Sequence, residues 1–216
     1  LYEDFKVIPW CVRCGTGLSS HELAQGYKEV EDTAVVVKFK IKSQKNTYIL
    51  SWTTTPWTLP GNVALAVNPD LDYVKVLPVG EIGFYYIIEK EASKRFLFSS
   101  SRETMKGTDL VGLEYEPIFD VPELQSKNSY RIYPADFVIA KEGTGIVHTA
   151  VMYGEDDYVL GNSVGLPKFH TVDESGHFIK GLKEIGGMYV KNKETEGKII
   201  RFLQQKGALF TSPEKY

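Results

Sequence analysis

The stretch Ser51-Trp52-Thr53-Thr54-Thr55-Pro56-Trp57-Thr58-Leu59-Pro60-Gly61-Asn62 constrains this chain more than any other. Tyr48-Ile49-Leu50 before it and Val63-Ala64-Leu65-Ala66-Val67 after it read as short apolar strands. Pro56 and Pro60 fix φ and remove backbone donors, so the segment between cannot continue a central strand and holds a defined shape. An ordinary turn needs Gly, Pro and an Asn or Asp; it has no use for a cluster of threonines beside an indole. Hydroxyls on a stiff backbone next to an apolar wall suit a small-molecule pocket. The plainer reading is a Thr-rich edge strand with a proline-bounded loop.

The rest of the chain reads as many short strands. Over Thr33–Ile41 the alternation of Val37, Phe39 and Ile41 with Lys38, Lys40 and Lys42 predicts a half-buried strand. The three lysines share one face, which is either a solvated face or an RNA-facing stripe. Asn46 turns the chain, Asn68-Pro69-Asp70 is a turn, and Tyr73–Leu77 and Phe84–Ile88 read as strands. Glu91–Phe98 reads as a short helix, Gly107–Phe119 as a turn and an extended piece, and Tyr130–Ala140 as two β-like segments. Lys193–Lys206 is the clearest helix, stopped by Gly207. Ser19 is placed to cap a helical turn that carries an exposed His21. The pattern predicts an α+β, β-rich class: a β-barrel or sandwich core with peripheral short helices.

A second stretch carries chemistry. Gly145-Ile146-Val147-His148 reads as a buried strand that delivers His148 to its end, and Gly154-Glu155-Asp156-Asp157-Tyr158 as a loop entering a helix ended by Leu166-Pro167. Acids are favoured at a helix start, but three exceed what one start needs, which leaves at least one for another task. Val172–Phe178 is a hairpin-like turn. No Ser or Cys sits in a nucleophile elbow, and His148, His170 and His177 lack the i, i+4 spacing of a helical metal motif. Hydroxyls, one histidine and one carboxylate remain, a set able to orient an ester and a water. Cys11 and Cys14 form a Cys-Val-Arg-Cys pair, which supplies two of the four ligands of a zinc site; a half-site, inert thiols and a redox pair all compete.

Both stretches together resemble the editing domain inserted in isoleucyl-tRNA synthetases. The first matches its threonine-rich peptide, with Thr55 and Trp57 where the valyl and leucyl enzymes carry Arg and an acid; the second, Gly143-Thr144-Gly145-Ile146-Val147-His148-Thr149-Ala150 with Gly154–Tyr158, about ninety residues on, resembles the other wall of the same pocket. The resemblance covers essentially the whole chain. It implies a closed or partly open barrel, with 1–30 a hinge segment bearing the cysteine pair, 31–207 the editing domain and 208–216 a return towards the synthetase body. It implies that Asp157, Thr54, Thr55 and His148 form the catalytic set and that Thr53, Trp57, Thr58 and Asn62 bind the substrate. Asp157 would pair with the α-ammonium group of a misattached amino acid, while His148, Thr58 and Trp57 enclose its side chain. The remaining threonines and Asn62 would hold the ester, the terminal adenosine or the water. Val151 departs from the family pattern, in which a proline follows His-Thr-Ala.

The implied activity is hydrolysis of valyl-tRNA(Ile), with valyl-adenylate as a second substrate kept open. One methylene is worth about 1–3 kcal/mol in an apolar pocket, the magnitude already established for isoleucine against valine in these very enzymes; a second, smaller pocket makes up the deficit. Editing needs no cofactor. Zinc belongs to the full-length protein, and ATP and Mg to a synthetic domain outside this chain. The expected partners are the valine-bearing 3′ end of tRNA(Ile) and the rest of the polypeptide; the isolated domain is expected to be a cytoplasmic monomer. A start at Leu1-Tyr2-Glu3-Asp4, without Met and in mid-pattern, reads as a piece of something longer. No apolar run approaches the roughly 20 residues that span a bilayer, and a net charge of −3 gives no global pull towards nucleic acid. An editing domain for another aliphatic amino acid, or a non-catalytic β-rich module gripping RNA or protein, are the alternatives.

Overall fold

The computed structural model describes residues 7–80, 82–140 and 143–216, apart from the side chains of residues 100–102. Leu1–Asp4, and with them the start of the expected 1–30 segment, lie outside the described residues.

A small hairpin, β1 (Trp10–Cys11) and β2 (Thr16–Gly17), opens the described chain, followed by α1 (Ser20–Ala24). Ser19 caps α1 in a reciprocal box with Glu22, as its position predicts, and His21 sits exposed on this turn beside Gln25. Then come β3 (Thr33–Lys40) and β4 (Thr47–Thr53), a 3-10 turn over Pro56–Gly61, β5 (Ala64–Val67), β6 (Asp72–Pro78) and β7 (Tyr85–Glu89). Next are α2 (Lys90–Ser93), β8 (Phe98–Lys106), α3 (Gly107–Leu110), β9 (Arg131–Pro134) and β10 (Ile146–Thr149). The helices α4 (Glu155–Val164) and α5 (Lys193–Gln205) and a last strand, β11 (Glu214–Lys215), complete it. The larger sheet runs β11-β3-β4-β7-β6-β8 and the smaller β10-β5-β9.

The two sheets curl towards each other as a partly open barrel. On one side residues 112–116 bridge them: Glu116 N–H donates to Lys40 O, Lys42 N–H to Glu114 O, and Tyr115 N–H to Tyr130 O. On the other side β4 meets β10 through side chains, with Ser51 Oγ donating to Ile146 O at 2.9 Å. No register pairs β4 with β10 among the described residues, and a cleft opens at this seam. Val35, Val37, Phe39 and Ile41 point into the barrel with Ile49, Leu65, Ile132 and Ile146. Phe39 and Tyr115 meet edge-on at 5.2 Å, an arrangement worth about 0.5–1.5 kcal/mol beyond the area buried. Val36 and Leu50 face the other way and pack with Tyr86, Ile88, Phe98 and Phe210. Because both faces are covered, Ala34–Val37 is a continuous buried run, and the alternation in the sequence begins only at Lys38.

The lysine stripe is engaged. Lys38 Nζ lies 5.9 Å from the Tyr48 and Tyr86 rings, Lys40 pairs with Glu116 at 2.7 Å and Lys42 with Glu114 at 3.3 Å. The expected helix over Glu91–Phe98 is wrong in extent: α2 stops at Ser93, and Phe98 opens β8. This Ser-rich strand lies at the edge of the sheet, paired with β6 through register shifts, so only part of one face needs apolar residues and the sequence shows no clear alternation. Gly165, left-handed at φ +68, ends α4 one residue before the Leu166-Pro167 stop expected from sequence. Among the described residues no helix is long and apolar enough to cross a membrane.

Candidate functional site

The first wall forms where β4 runs out. Thr53 ends the strand; Pro56, at the first position of the 3-10 turn, redirects the chain and brings Thr58 back beside it. Thr53 Oγ1 accepts the Thr55 N–H at 3.1 Å and lies 3.2 Å from Thr55 Oγ1, which is 3.4 Å from Thr58 Oγ1. Thr58 Oγ1 is 2.8 Å from Thr55 O and 3.0 Å from His148 Nε2. Thr58 has one hydroxyl hydrogen and a carbonyl can only accept, so that hydrogen goes to Thr55 O and His148 donates from Nε2. His148 Nδ1 is then a bare lone pair, buried and without a partner among the described residues. Burial holds the ring's pKa down to about 4, so it is neutral at physiological pH. The hydroxyls of Thr53, Thr55 and Thr58 are committed to one another, whereas Thr54 lines the cleft and its hydroxyl makes no hydrogen bond among the described residues.

The second wall is β10 and its approach. Gly143 and Gly145 are left-handed, at φ +54 and +69, and both press on neighbours. A Cβ on Gly143 would come within 2.9 Å of the Trp52 ring, and one on Gly145 within 2.3 Å of Glu89. Glycine is needed there for the backbone angle and for the close approach. Between them Thr144 is buried, its Oγ1 donating to Ile146 O at 3.3 Å. The strand then pairs with β5, His148 against Leu65, which fixes which side of β10 the imidazole occupies.

After β10 a turn closed by Tyr153 N–H donating to Ala150 O at 2.9 Å leads into α4, where Asp157 sits in the first turn. Its carboxyl is partly buried. Burial raises its pKa to about 7; the Ala150 amide opposes the rise and the Asp156 charge adds to it. Glu155 and Asp156 are exposed, as helix-start acids should be. Val151, at the position where proline was expected, is buried with its methyls facing Gly161, where a Cβ would come within 2.7 Å.

These walls enclose a cleft of about 340 Å³. It gathers Thr53, Thr54, Thr55, Thr58, His148 and Asp157. Trp57 and Asn62 are not among its lining residues. The 3-10 turn rotates Trp57 away to pack on the barrel core, edge-on to Tyr153 at 5.3 Å, and its Nε1 is buried without a partner among the described residues. Asn62 serves the fold: it donates to Ala64 O at 2.9 Å and accepts from Tyr115 Oη at 2.8 Å. The indole that does line the cleft is Trp52, with Thr144 from the second stretch; Phe137, Ile139 and Tyr153 line it too, and sequence reasoning assigned none of these three.

Cys11 and Cys14 sit on the small hairpin, where the Cys14 N–H donates to Cys11 Sγ at 3.4 Å. That amide holds the Cys11 thiol below its ordinary pKa, and the contact with Cys11 raises Cys14. Among the described residues no group of three or more His, Cys, Asp or Glu is placed to hold a metal ion. Two sulfurs are half of a tetrahedral set.

No family model matches the chain. Over its whole length it is 45% identical to a segment of the isoleucine--tRNA ligase of Clostridium novyi and 46% identical to that of Clostridium tetani, in each case spanning 20% of the relative. The isoleucine--tRNA ligase 2 of Bacillus cereus is 44% identical over the same share. The chain thus spans about a fifth of the length of the curated relatives it matches. Its fold is that of leucyl-tRNA synthetase editing domains. The P. knowlesi cytosolic domain matches with a TM-score of 0.63 at 14% identity, over 88% of this chain and 99% of that one. A P. falciparum counterpart matches with a TM-score of 0.60 at 13% identity, over 83% and 99%.

Proposed function

We propose that this chain, homologous from end to end to isoleucine--tRNA ligases, is the proofreading segment of such an enzyme and hydrolyses valine from mischarged tRNA(Ile). The observation that carries the reading is the convergence of Asp157, His148 and the four threonines on one cleft. Asp157, ionised, takes the ammonium group of the misattached residue in a charge-assisted bond. In this reading the surface of His148 and Thr58 encloses the side chain and discriminates against an added methylene. Thr54 offers the uncommitted hydroxyl to the ester or to the attacking water. Water attacks the carbonyl, the ribose oxygen leaves with a proton, and the rate comes from positioning and electrostatics. The partners are the 3′ end of tRNA(Ile) and the remainder of the polypeptide, in the cytoplasm; the other two ligands of any zinc site would come from outside this chain. A purely RNA-gripping module is less well supported, since Lys40 and Lys42 are paired with Glu116 and Glu114. Incubating the chain with valyl- and isoleucyl-tRNA(Ile) and following ester loss tests the proposal: valine is to be released and isoleucine kept.

The charge state of Asp157 sets a pH dependence. Its raised pKa means the free domain holds a neutral carboxyl below about 7, and only the ionised form takes an ammonium group. The kcat/KM for valyl-tRNA(Ile) should therefore rise with a midpoint near 7 and fall as the substrate's own amine loses its proton, at roughly 8. Once the ammonium group is bound it favours the carboxylate, so the rising limb of kcat should lie at lower pH than that of kcat/KM. Coincident limbs would argue against the pairing.

Thr54 supplies a second test. Thr54→Val keeps the volume, and no hydrogen bond among the described residues is lost. We expect deacylation to slow by about tenfold, the worth of one hydrogen bond, with thermal stability unchanged and Thr54→Ser restoring most of the rate. Full activity in the valine variant would remove Thr54 from the mechanism.

A further inference from the structure

We propose that Tyr153 is a positioning residue for deacylation: its hydroxyl ties the turn that delivers Asp157 to the backbone of Thr171 and Val172, and so fixes where the carboxylate stands. This rests on the editing reading above. The Tyr153 oxygen accepts the Thr171 N–H at 2.7 Å and the Val172 N–H at 2.9 Å, and lies 2.8 Å from Thr171 Oγ1. With two amides on its lone pairs, the phenol sends its hydrogen to Thr171 Oγ1. The ring is held as firmly. It stands edge-on to Trp57 at 5.3 Å and to His170 at 6.4 Å, and a Cβ on Gly61 would come within 2.9 Å of it.

The turn has few polar side-chain ties besides this one. Gly154, the N-cap of α4, has no side chain to cap the helix. Val151 leaves φ freer than a proline would. Beyond the Tyr153–Ala150 backbone bond, the Ala150 amide that meets the Asp157 carboxylate and the buried Val151, the side chain of Tyr153 is the anchor that reaches to a separate segment. Asp157 stands one helical turn further on and packs so closely that a Cβ on Gly154 would lie 2.6 Å from its Oδ2. A shift of the turn therefore moves the carboxylate, and reaction geometry tolerates little movement: a displacement of about 1 Å can cost on the order of a hundredfold in rate. The Thr171 and Val172 segment runs on into the Val172–Phe178 bridge, so the hydroxyl couples a part of the molecule that contributes no lining residue to the carboxylate in the cleft.

The test is Tyr153→Phe, which keeps the ring and deletes the anchor. Three quantities are read: the titration of the Asp157 carboxyl by NMR in the free chain, kcat and KM for valyl-tRNA(Ile), and the melting temperature. We expect kcat to fall about tenfold or more with KM changing less, and the Asp157 midpoint to drop by about one pH unit or more as water reaches the carboxylate. Should that variant fail to fold, Gly61→Ala serves instead, because it displaces the ring while keeping the hydroxyl, and the same signature is expected. A folded variant with the parent's kcat and Asp157 titration, whatever its melting temperature, overturns the proposal and leaves Tyr153 a strut. If the parent chain itself releases no valine while the Asp157 titration still moves in the variant, the editing reading fails and the positioning role stands.

Discussion

Asp157→Asn is expected to cut valine release at least about 30-fold while making the domain more stable at pH 8. The two effects share one cause. In the free chain burial penalises the Asp157 charge and raises its pKa from 3.8 to about 7. A raised carboxyl pKa means that the folded state binds the proton more tightly than the unfolded one. Its favourable contribution is complete below about 4 and is lost as pH rises through about 7. The full shift corresponds to about 4 kcal/mol, a ceiling because the cleft admits water, and we expect Asn to recover about 1–3 kcal/mol at pH 8. At pH 4, where the aspartate is already protonated, the two proteins should melt alike. On the functional side Asn cannot neutralise an ammonium group, and losing one partner of a hydrogen-bonded charge pair costs about 2–5 kcal/mol. That corresponds to roughly 30- to several-thousandfold in kcat/KM. Thermal melts at the two pH values and deacylation rates check both halves. An active variant would sink the ammonium assignment, and a variant no more stable at pH 8 would show that the carboxylate is not penalised.

The second large effect concerns what the cleft excludes. His148→Ala should let isoleucyl-tRNA(Ile) in. The imidazole is buried, neutral and fixed by its Nε2 donation to Thr58, so it acts as a rigid wall rather than as a charge. Shortening it to a methyl group opens space larger than one methylene. Because one methylene distinguishes the substrates by about 10- to 200-fold, cleavage of the isoleucyl ester should rise by about a hundredfold and that of the valyl ester should change by less than about tenfold. The truncation also costs about 2–4 kcal/mol of stability as a buried large-to-small change, so circular dichroism must accompany the kinetics. If isoleucine remains protected in the folded variant, the sieve wall lies elsewhere, with Trp52 the first alternative.

How far the sequence discloses this arrangement depends on the kind of signal each residue leaves. The proline-bounded threonines and the Gly-Thr-Gly strand approach are visible because each breaks a local rule: hydroxyls where a turn needs none, glycines where a strand wants side chains. Asp157 stands out by surplus, as a third acid at a helix start that needs fewer. Trp57 and Asn62 stand outside the cleft lining because motif membership does not say which way a side chain points, and the rotation imposed by the 3-10 turn is invisible before the chain is folded. β8 is illegible for another reason: an edge strand of serines carries almost no hydropathic period. Tyr153, Phe137 and Ile139 reach the cleft through tertiary packing alone, and nothing local in the chain marks them.

The measurement that bears most directly on the central claim is a single-turnover comparison of ester loss from valyl-tRNA(Ile) and isoleucyl-tRNA(Ile) with the folded chain in excess. The account predicts that valine is released faster than the uncatalysed ester decays, that isoleucine is released at the uncatalysed rate, and that Asp157→Asn brings valine down to the same background. Release of both amino acids at one rate, or of neither, by a chain shown to be folded would contradict it.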